Sequence, residues 1–176
     1  GGSKKPSAEP SQKKDSHAAS FTPVDRIVYP AKGYTKGDVL EFYLKIADRL
    51  LPHLRGRPIT VERFPTGVGE RAEHFWQKNT PAYYPSWIKR YRVHESDKDV
   101  NYVLIDDVQS LMYVVNQNAL TFHIWMSHVD APDRPDFVLF DIDPHQSTFA
   151  NAIKVARQLH EILDDHGIEN FLKTSG

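Results

Sequence analysis

The chain has 176 residues, of which 40% are hydrophobic and 26% charged, with a net charge of −1 and no cysteine. That composition is globular and the length suits one domain, while the missing cysteines exclude disulfides, thiolate metal sites and cysteine nucleophiles. No apolar run approaches the roughly 20 residues that cross a bilayer and no signal-peptide segment opens the chain, so a cytoplasmic protein is expected rather than a secreted or membrane-anchored one. The small net charge hides an asymmetry: residues 1–95 hold 17 Lys/Arg against 10 Asp/Glu, and residues 96–176 hold 5 against 13. A basic half beside an acidic half suits a protein that meets phosphates with one surface and gathers carboxylates for cations with another, although solvated faces give the same tally.

Residues 1–22 are rich in Ser, Lys, Pro and Gly. They carry too little apolar surface to offset the entropy of ordering, so a disordered basic tail is expected, with Gly1-Gly2-Ser3 as a cloning scar; the domain is expected over 23–176. Apolar residues at helical spacing from Val39 to Leu51, behind Thr35 as N-cap, predict a helix over 35–54. Arg55-Gly56-Arg57-Pro58 ends it, and Ile59 to Phe64 reads as a strand stopped by Pro65 and Gly67. A short helix is expected over Glu70 to Lys78, a strand at Tyr102 to Ile105, a helix over Ser110 to Leu120 and a strand at Phe122 to Met126. Phe137 to Ile142 is a nearly continuous apolar run, the pattern of a central strand covered on both faces. A helix over Thr148 to His166, with Gly167 as its stop, and a strand from Phe171 to Thr174 complete the set. The fold class is α/β (α+β), a central mixed sheet flanked by helices, with the last four residues reading as a turn that leads onward.

Chemistry concentrates where the apolar run closes on Asp141-Ile142-Asp143-Pro144. In a strand, period two puts both carboxylates on one face, and their mutual repulsion is relieved by a hard divalent cation such as magnesium or manganese. The alternative is that Asp143 begins a turn with Pro144 while Asp141 takes a hydrogen bond. His123, on the preceding strand candidate, can reach such a site or be an ordinary packed histidine. The other eight histidines, His53, His74, His128 and His145 among them, show no zinc-type spacing. Arg26, Lys32 and Lys36 straddle a Pro-Gly turn that can hold a phosphate by charge, and Phe75-Trp76 beside Gln77-Lys78 is the aromatic-cation pairing that stacks nucleobases, or a buried face.

Together these pieces resemble the polymerase domain of bacterial and archaeal DNA ligase D, a primase-polymerase of non-homologous end joining. The resemblance is collinear through Asp25-Arg26-Ile27-Val28-Tyr29-Pro30, Gly33-Tyr34-Thr35-Lys36-Gly37-Asp38-Val39, Gly56-Arg57-Pro58, Arg63-Phe64-Pro65-Thr66-Gly67 and Phe75-Trp76-Gln77-Lys78. It continues in Leu120-Thr121-Phe122-His123-Ile124-Trp125, Arg134-Pro135-Asp136, Phe140-Asp141-Ile142-Asp143-Pro144 and Thr174-Ser175-Gly176. It implies metal carboxylates at Asp141 and Asp143, an active-site histidine at His123, a 5′-phosphate site at Arg26 and Lys36, template stacking on Phe75 and Trp76, and a triphosphate loop opening at Ser175. Its implied activity is template-directed nucleotidyl transfer, with Mn2+ or Mg2+ as cofactor. The implied partners are DNA with a 5′-phosphate at gaps or breaks, nucleoside triphosphates, and ligase and end-binding proteins. Three departures stand out: Pro23 where the family usually has Asn with Arg26 where it has Lys, Thr121 where an acid commonly precedes the active-site histidine by two, and no later Lys, second His or third metal carboxylate. An incomplete C-terminus is therefore expected. A DNA-end binding module without a complete catalytic site and a metal-dependent phosphoesterase are the rival readings.

Overall fold

The computed structural model describes residues 23–174; the expected basic tail over 1–22 and the expected triphosphate-loop residue Ser175 lie outside the described residues. The chain divides into two units, Gly1–Asp136 and Phe137–Gly176.

In the first unit, β1 (Ile27–Tyr29) and β2 (Tyr34–Thr35) form a small antiparallel ladder that leads into helix α1 (Lys36–Leu54). Thr35 caps that helix in a capping box: its hydroxyl accepts from the Asp38 backbone N–H at 3.2 Å, and the Asp38 carboxylate accepts from the Thr35 backbone N–H at 2.7 Å. The helix is followed by β3 (Ile59–Arg63), β4 (Phe75–Gln77), β5 (Arg90–Glu95), β6 (Lys98–Val103), helix α2 (Val108–Asn116) and β7 (Ala119–Ile124). Strand β3 is the centre of a five-stranded sheet. Its full length pairs with β7 on one edge, while β4 pairs with Val61 to Arg63 and β6 with Ile59 on the other, and β5 pairs outside β6. The α/β class with helices against a sheet stands as expected; every pairing among the described residues is antiparallel, where a mixed sheet is expected from the sequence.

The core lies between α1, α2 and the inner face of the sheet, with Leu51, Leu54, Ile59, Val61, Leu111 and Val114 all buried. After β3 the chain doubles back at Gly67, whose φ of +95° and a Cβ position 2.8 Å from the Val28 carbonyl oxygen leave room only for glycine.

The segment expected to be helical over Glu70 to Lys78 instead holds β4. Its helix-forming composition is overridden because Phe75 to Gln77 complete ladder bonds to β3. The hairpin of β5 and β6, turning at Ser96-Asp97, adds a strand that the sequence reading lacks. Helix α2 ends at Asn116 rather than Leu120, because Ala119 and Leu120 already pair and pack as strand β7.

The second unit contains helix α3 (Phe149–Asp165), capped by Thr148 and stopped at Gly167 with φ +68°, as expected. Phe137 to Ile142, expected as a central strand, is irregular, and so is Phe171 to Thr174. A strand exists only where a neighbour's backbone groups stand in register, and neither segment forms ladder bonds with a described strand. Leu139 to Ile142 lie along Val155, Leu159 and Ile162 of α3, yet Leu139 remains 59% exposed. No helix among the described residues is long and apolar enough to cross a membrane.

Ile59, with no exposed surface, packs at the junction of three strands. Ile59→Ala should lower unfolding free energy by about 2–5 kcal/mol in denaturant titrations, whereas Leu139→Ala should cost less than about 1 kcal/mol. Equal losses at the two positions would contradict this placement of the core.

Candidate active site

The outer face of the three strands β4, β3 and β7 collects the polar groups. In register, Glu62 lies opposite Trp76 on one side and Thr121 on the other, and Thr60 lies opposite His123. The strand period puts Glu62, Trp76, Thr121 and His123 on one face. The Trp76 indole and the His123 imidazole meet edge to face, centroids 4.3 Å apart at 71°. The Thr121 hydroxyl donates to Glu62 Oε2 at 2.9 Å, and His123 Nε2 stands 3.2 Å from Thr121 Oγ1. The other Glu62 oxygen takes His74 Nδ1 at 2.6 Å, and the His74 ring is stacked on Phe64. Trp76 is 55% exposed, so its ring can accept a stacked base.

Phe75 belongs to the opposite face. The Arg63 guanidinium lies 5.6 Å over its ring and donates to the Gln117 carbonyl at 2.9 Å, to Gln77 Oε1 at 2.9 Å and to the Tyr83 hydroxyl at 3.0 Å. The two aromatic residues that the sequence sets side by side are therefore presented in opposite directions.

Lys36 is 2% exposed, and its ammonium donates to the Asn116 carbonyl at the end of α2, at 2.6 Å. Burial lowers its pKa to about 8, with the neighbouring cations Arg26 and Arg63 adding to the effect. Arg26 itself donates to the Pro65 carbonyl. Three cations thus gather near the start of α1 and the end of α2, a field that favours an anion. The Lys36 ammonium uses one of its three donors on the Asn116 carbonyl. Neither Arg63 nor Glu62 is singled out by the sequence, where a lone charge in a short strand carries no signal until its cross-strand neighbours are known.

In the second unit, Asp141 and Asp143 are both exposed. Asp143 Oδ1 accepts from the His145 backbone N–H at 2.9 Å, in a turn closed by Ser147 N–H donating to the Pro144 carbonyl at 2.7 Å, with His145 at φ +44°. The turn reading of Asp143 is realised in this geometry, and the common-face reasoning from a strand does not apply. Asp143 keeps Oδ2 open, and Asp141 lines the groove against α3; as hard oxygen donors both suit a magnesium- or manganese-type ion. Among the described residues, no group of three or more His, Asp or Glu side chains gathers as a metal cage.

The α/β architecture, with a β3-centred sheet under two helices, is that of a polymerase domain. The solved polymerase domain of Mycobacterium tuberculosis ligase D, in complex with DNA, shares it with a TM-score of 0.67 and 26% identity, over 84% of this chain and 54% of that chain. The family described as LigD, primase-polymerase domain, matches residues 35–176, and the chain belongs to it. Relatives include the bifunctional non-homologous end joining protein LigD of Bacillus subtilis, 33% identical over 89% of this chain, and the multifunctional LigD of Mycolicibacterium smegmatis, 32% identical over 89%. The chain spans 24% and 21% of the lengths of these two relatives.

The folded chain gives up the Lys36 proton at about 8 and the unfolded chain near 10.5, so the unfolded state binds more protons between those values and Lys36 makes stability rise with pH across that window. Lys36→Met keeps the stem and removes the amine. The unfolding free energy of the native chain minus that of this variant should increase from about pH 7.5 to about pH 10; a level difference would place the ammonium in a water-like setting.

Proposed function

We propose that this chain supplies part of a template-directed nucleotidyl transferase that extends primers and fills gaps at DNA ends in non-homologous end joining. The reading is supported by the family to which the chain belongs and by the fold shared with a polymerase domain solved with DNA. The observation on this chain that carries it is the exposed indole of Trp76 set against the His123 imidazole on one sheet face.

Trp76 stacks a nucleobase without reading its identity, and Phe75, on the other face, offers a second stacking surface backed by Arg63. Arg26 and Lys36, with Arg63 behind them, attract the 5′-phosphate of the downstream strand by their charge. His123 meets the incoming nucleoside triphosphate or the primer 3′-hydroxyl. The new bond joins the 3′-oxygen to the α-phosphorus, the bond to pyrophosphate breaks, and the hydroxyl proton passes to a base. Asp141 and Asp143 hold a divalent ion, magnesium or manganese, which when bound supplies charge stabilisation at the α-phosphate. DNA with a 5′-phosphate and nucleoside triphosphates are the ligands of this reading, and ligase and end-binding proteins its protein partners.

The test is extension of a labelled primer on gapped DNA, with and without the downstream 5′-phosphate, in manganese and nucleoside triphosphates. Asp141→Ala/Asp143→Ala should cut extension by about 100-fold or more while leaving DNA binding in place. Trp76→Ala should weaken template binding by about 1–3 kcal/mol with little dependence on sequence. Phosphate-dependent binding without extension would make the chain a DNA-end recognition module; loss of both activities in the native chain would overturn the reading.

A further inference from the structure

The hydrogen bonds around Thr121 have a direction. Glu62 is the least exposed member of the group, its side chain 13% exposed, and both of its oxygens are engaged: Oε1 by His74 Nδ1 and Oε2 by the Thr121 hydroxyl. A carboxylate only accepts, so the single hydroxyl hydrogen of Thr121 is committed to Glu62. The Thr121 oxygen is left with lone pairs alone, and its contact at 3.2 Å with His123 Nε2 is a hydrogen bond only when that nitrogen carries the proton. The neutral imidazole then has its lone pair on Nδ1. The cross-strand register, Glu62 opposite Thr121 with His123 two residues further along β7, holds the three groups in line, and the Trp76 indole packed at 4.3 Å limits rotation of the ring.

We propose that Glu62 and Thr121 are positioning residues that fix His123 in the Nε2–H form and so present Nδ1 to the reacting nucleotide. The catalytic consequence rests on the proposed function; the proton's location does not. Neutral Nδ1 accepts the proton of an attacking hydroxyl, and the doubly protonated ring donates from Nδ1 to a phosphate oxygen. The relay also places a carboxylate behind His123 although its own strand has only a threonine two residues earlier: the acid comes from the neighbouring strand.

The experiment is nitrogen-15 and proton correlation spectroscopy of the imidazoles in the 176-residue chain, at a pH where histidine is neutral, with Thr121→Val, Thr121→Ser and Glu62→Gln beside the native sequence. His123 should show one form, protonated at Nε2. Thr121→Val should move it toward a mixture with Nδ1–H, Thr121→Ser should restore the native signature, and Glu62→Gln should loosen it because an amide can turn its N–H toward Thr121. A proton on Nδ1 in the native chain, or an unchanged signature in Thr121→Val, would overturn the relay. In primer extension, Thr121→Val should lower kcat about fivefold, the scale of one lost hydrogen bond, with DNA affinity unchanged. In a His123→Ala background it should have no further effect, since residues acting through one group are not additive. A shifted proton form with native kcat would leave the relay standing and count against His123 as a reacting group.

Discussion

An α-helix leaves its last carbonyls without donors from its own backbone, and the end of α2 meets that requirement with two cations from distant parts of the chain. Lys36, the first residue of α1, donates to Asn116, and Arg63, the last residue of β3, donates to Gln117. One helix end thereby ties the start of the long helix to the end of the central strand. Burial disfavours the charge of Lys36, so its pKa falls to about 8, and both Arg26 and Arg63 press in the same direction. Strand β4 depends on the same anchor, because Arg63 also holds Gln77 and lies over Phe75.

Strand β3 serves two environments at once. Ile59 and Val61 point into the core and are buried, while Glu62 between Val61 and Arg63 reaches the outer face and organises His74, Thr121 and, through Thr121, His123. The rigidity that sets the imidazole comes from the apolar side of the same strand. Shifting β3 by one residue would exchange the two faces, exposing Val61 and burying Glu62, so the packing of the core and the arrangement of the outer groups are a single choice of register.

Helices α1 and α3 were legible because their signals are local: Thr35 with Asp38, Thr148, and the glycine at 167 act within a few residues of themselves. The core residues Val39 and Leu51 followed from helical spacing, and strand β3 from the Pro65 and Gly67 that stop it. The errors have a common origin in partners distant in sequence. Glu70 to Lys78 is rich in helix formers, but Phe75 to Gln77 become a strand because β3 offers a ladder. Phe137 to Ile142 has the composition of a strand but no ladder pairing among the described residues. Strand β5 and the first half of β6 were hidden by their charges, since Arg92, His94 and Asp99 face solvent and pair across the hairpin, while the end of β6 falls in the strand expected at Tyr102 to Ile105. Asp141 and Asp143 were conspicuous as a pair, whereas Glu62 and Arg63, which order the first unit's polar groups, become visible only when the register is known.

Among the described residues β5 pairs with β6 alone, so its other edge offers free backbone donors and acceptors to any passing strand. Its sequence, Arg90-Tyr91-Arg92-Val93-His94-Glu95, sets Arg, His or Glu at four of six positions. A second copy extending the sheet there in parallel register would set Arg90 beside Arg90 and Arg92 beside Arg92, whereas full antiparallel register sets Arg90 beside Glu95. The β5 charges thus select against parallel self-pairing, and neutralising them would remove that selection from an edge with free backbone groups.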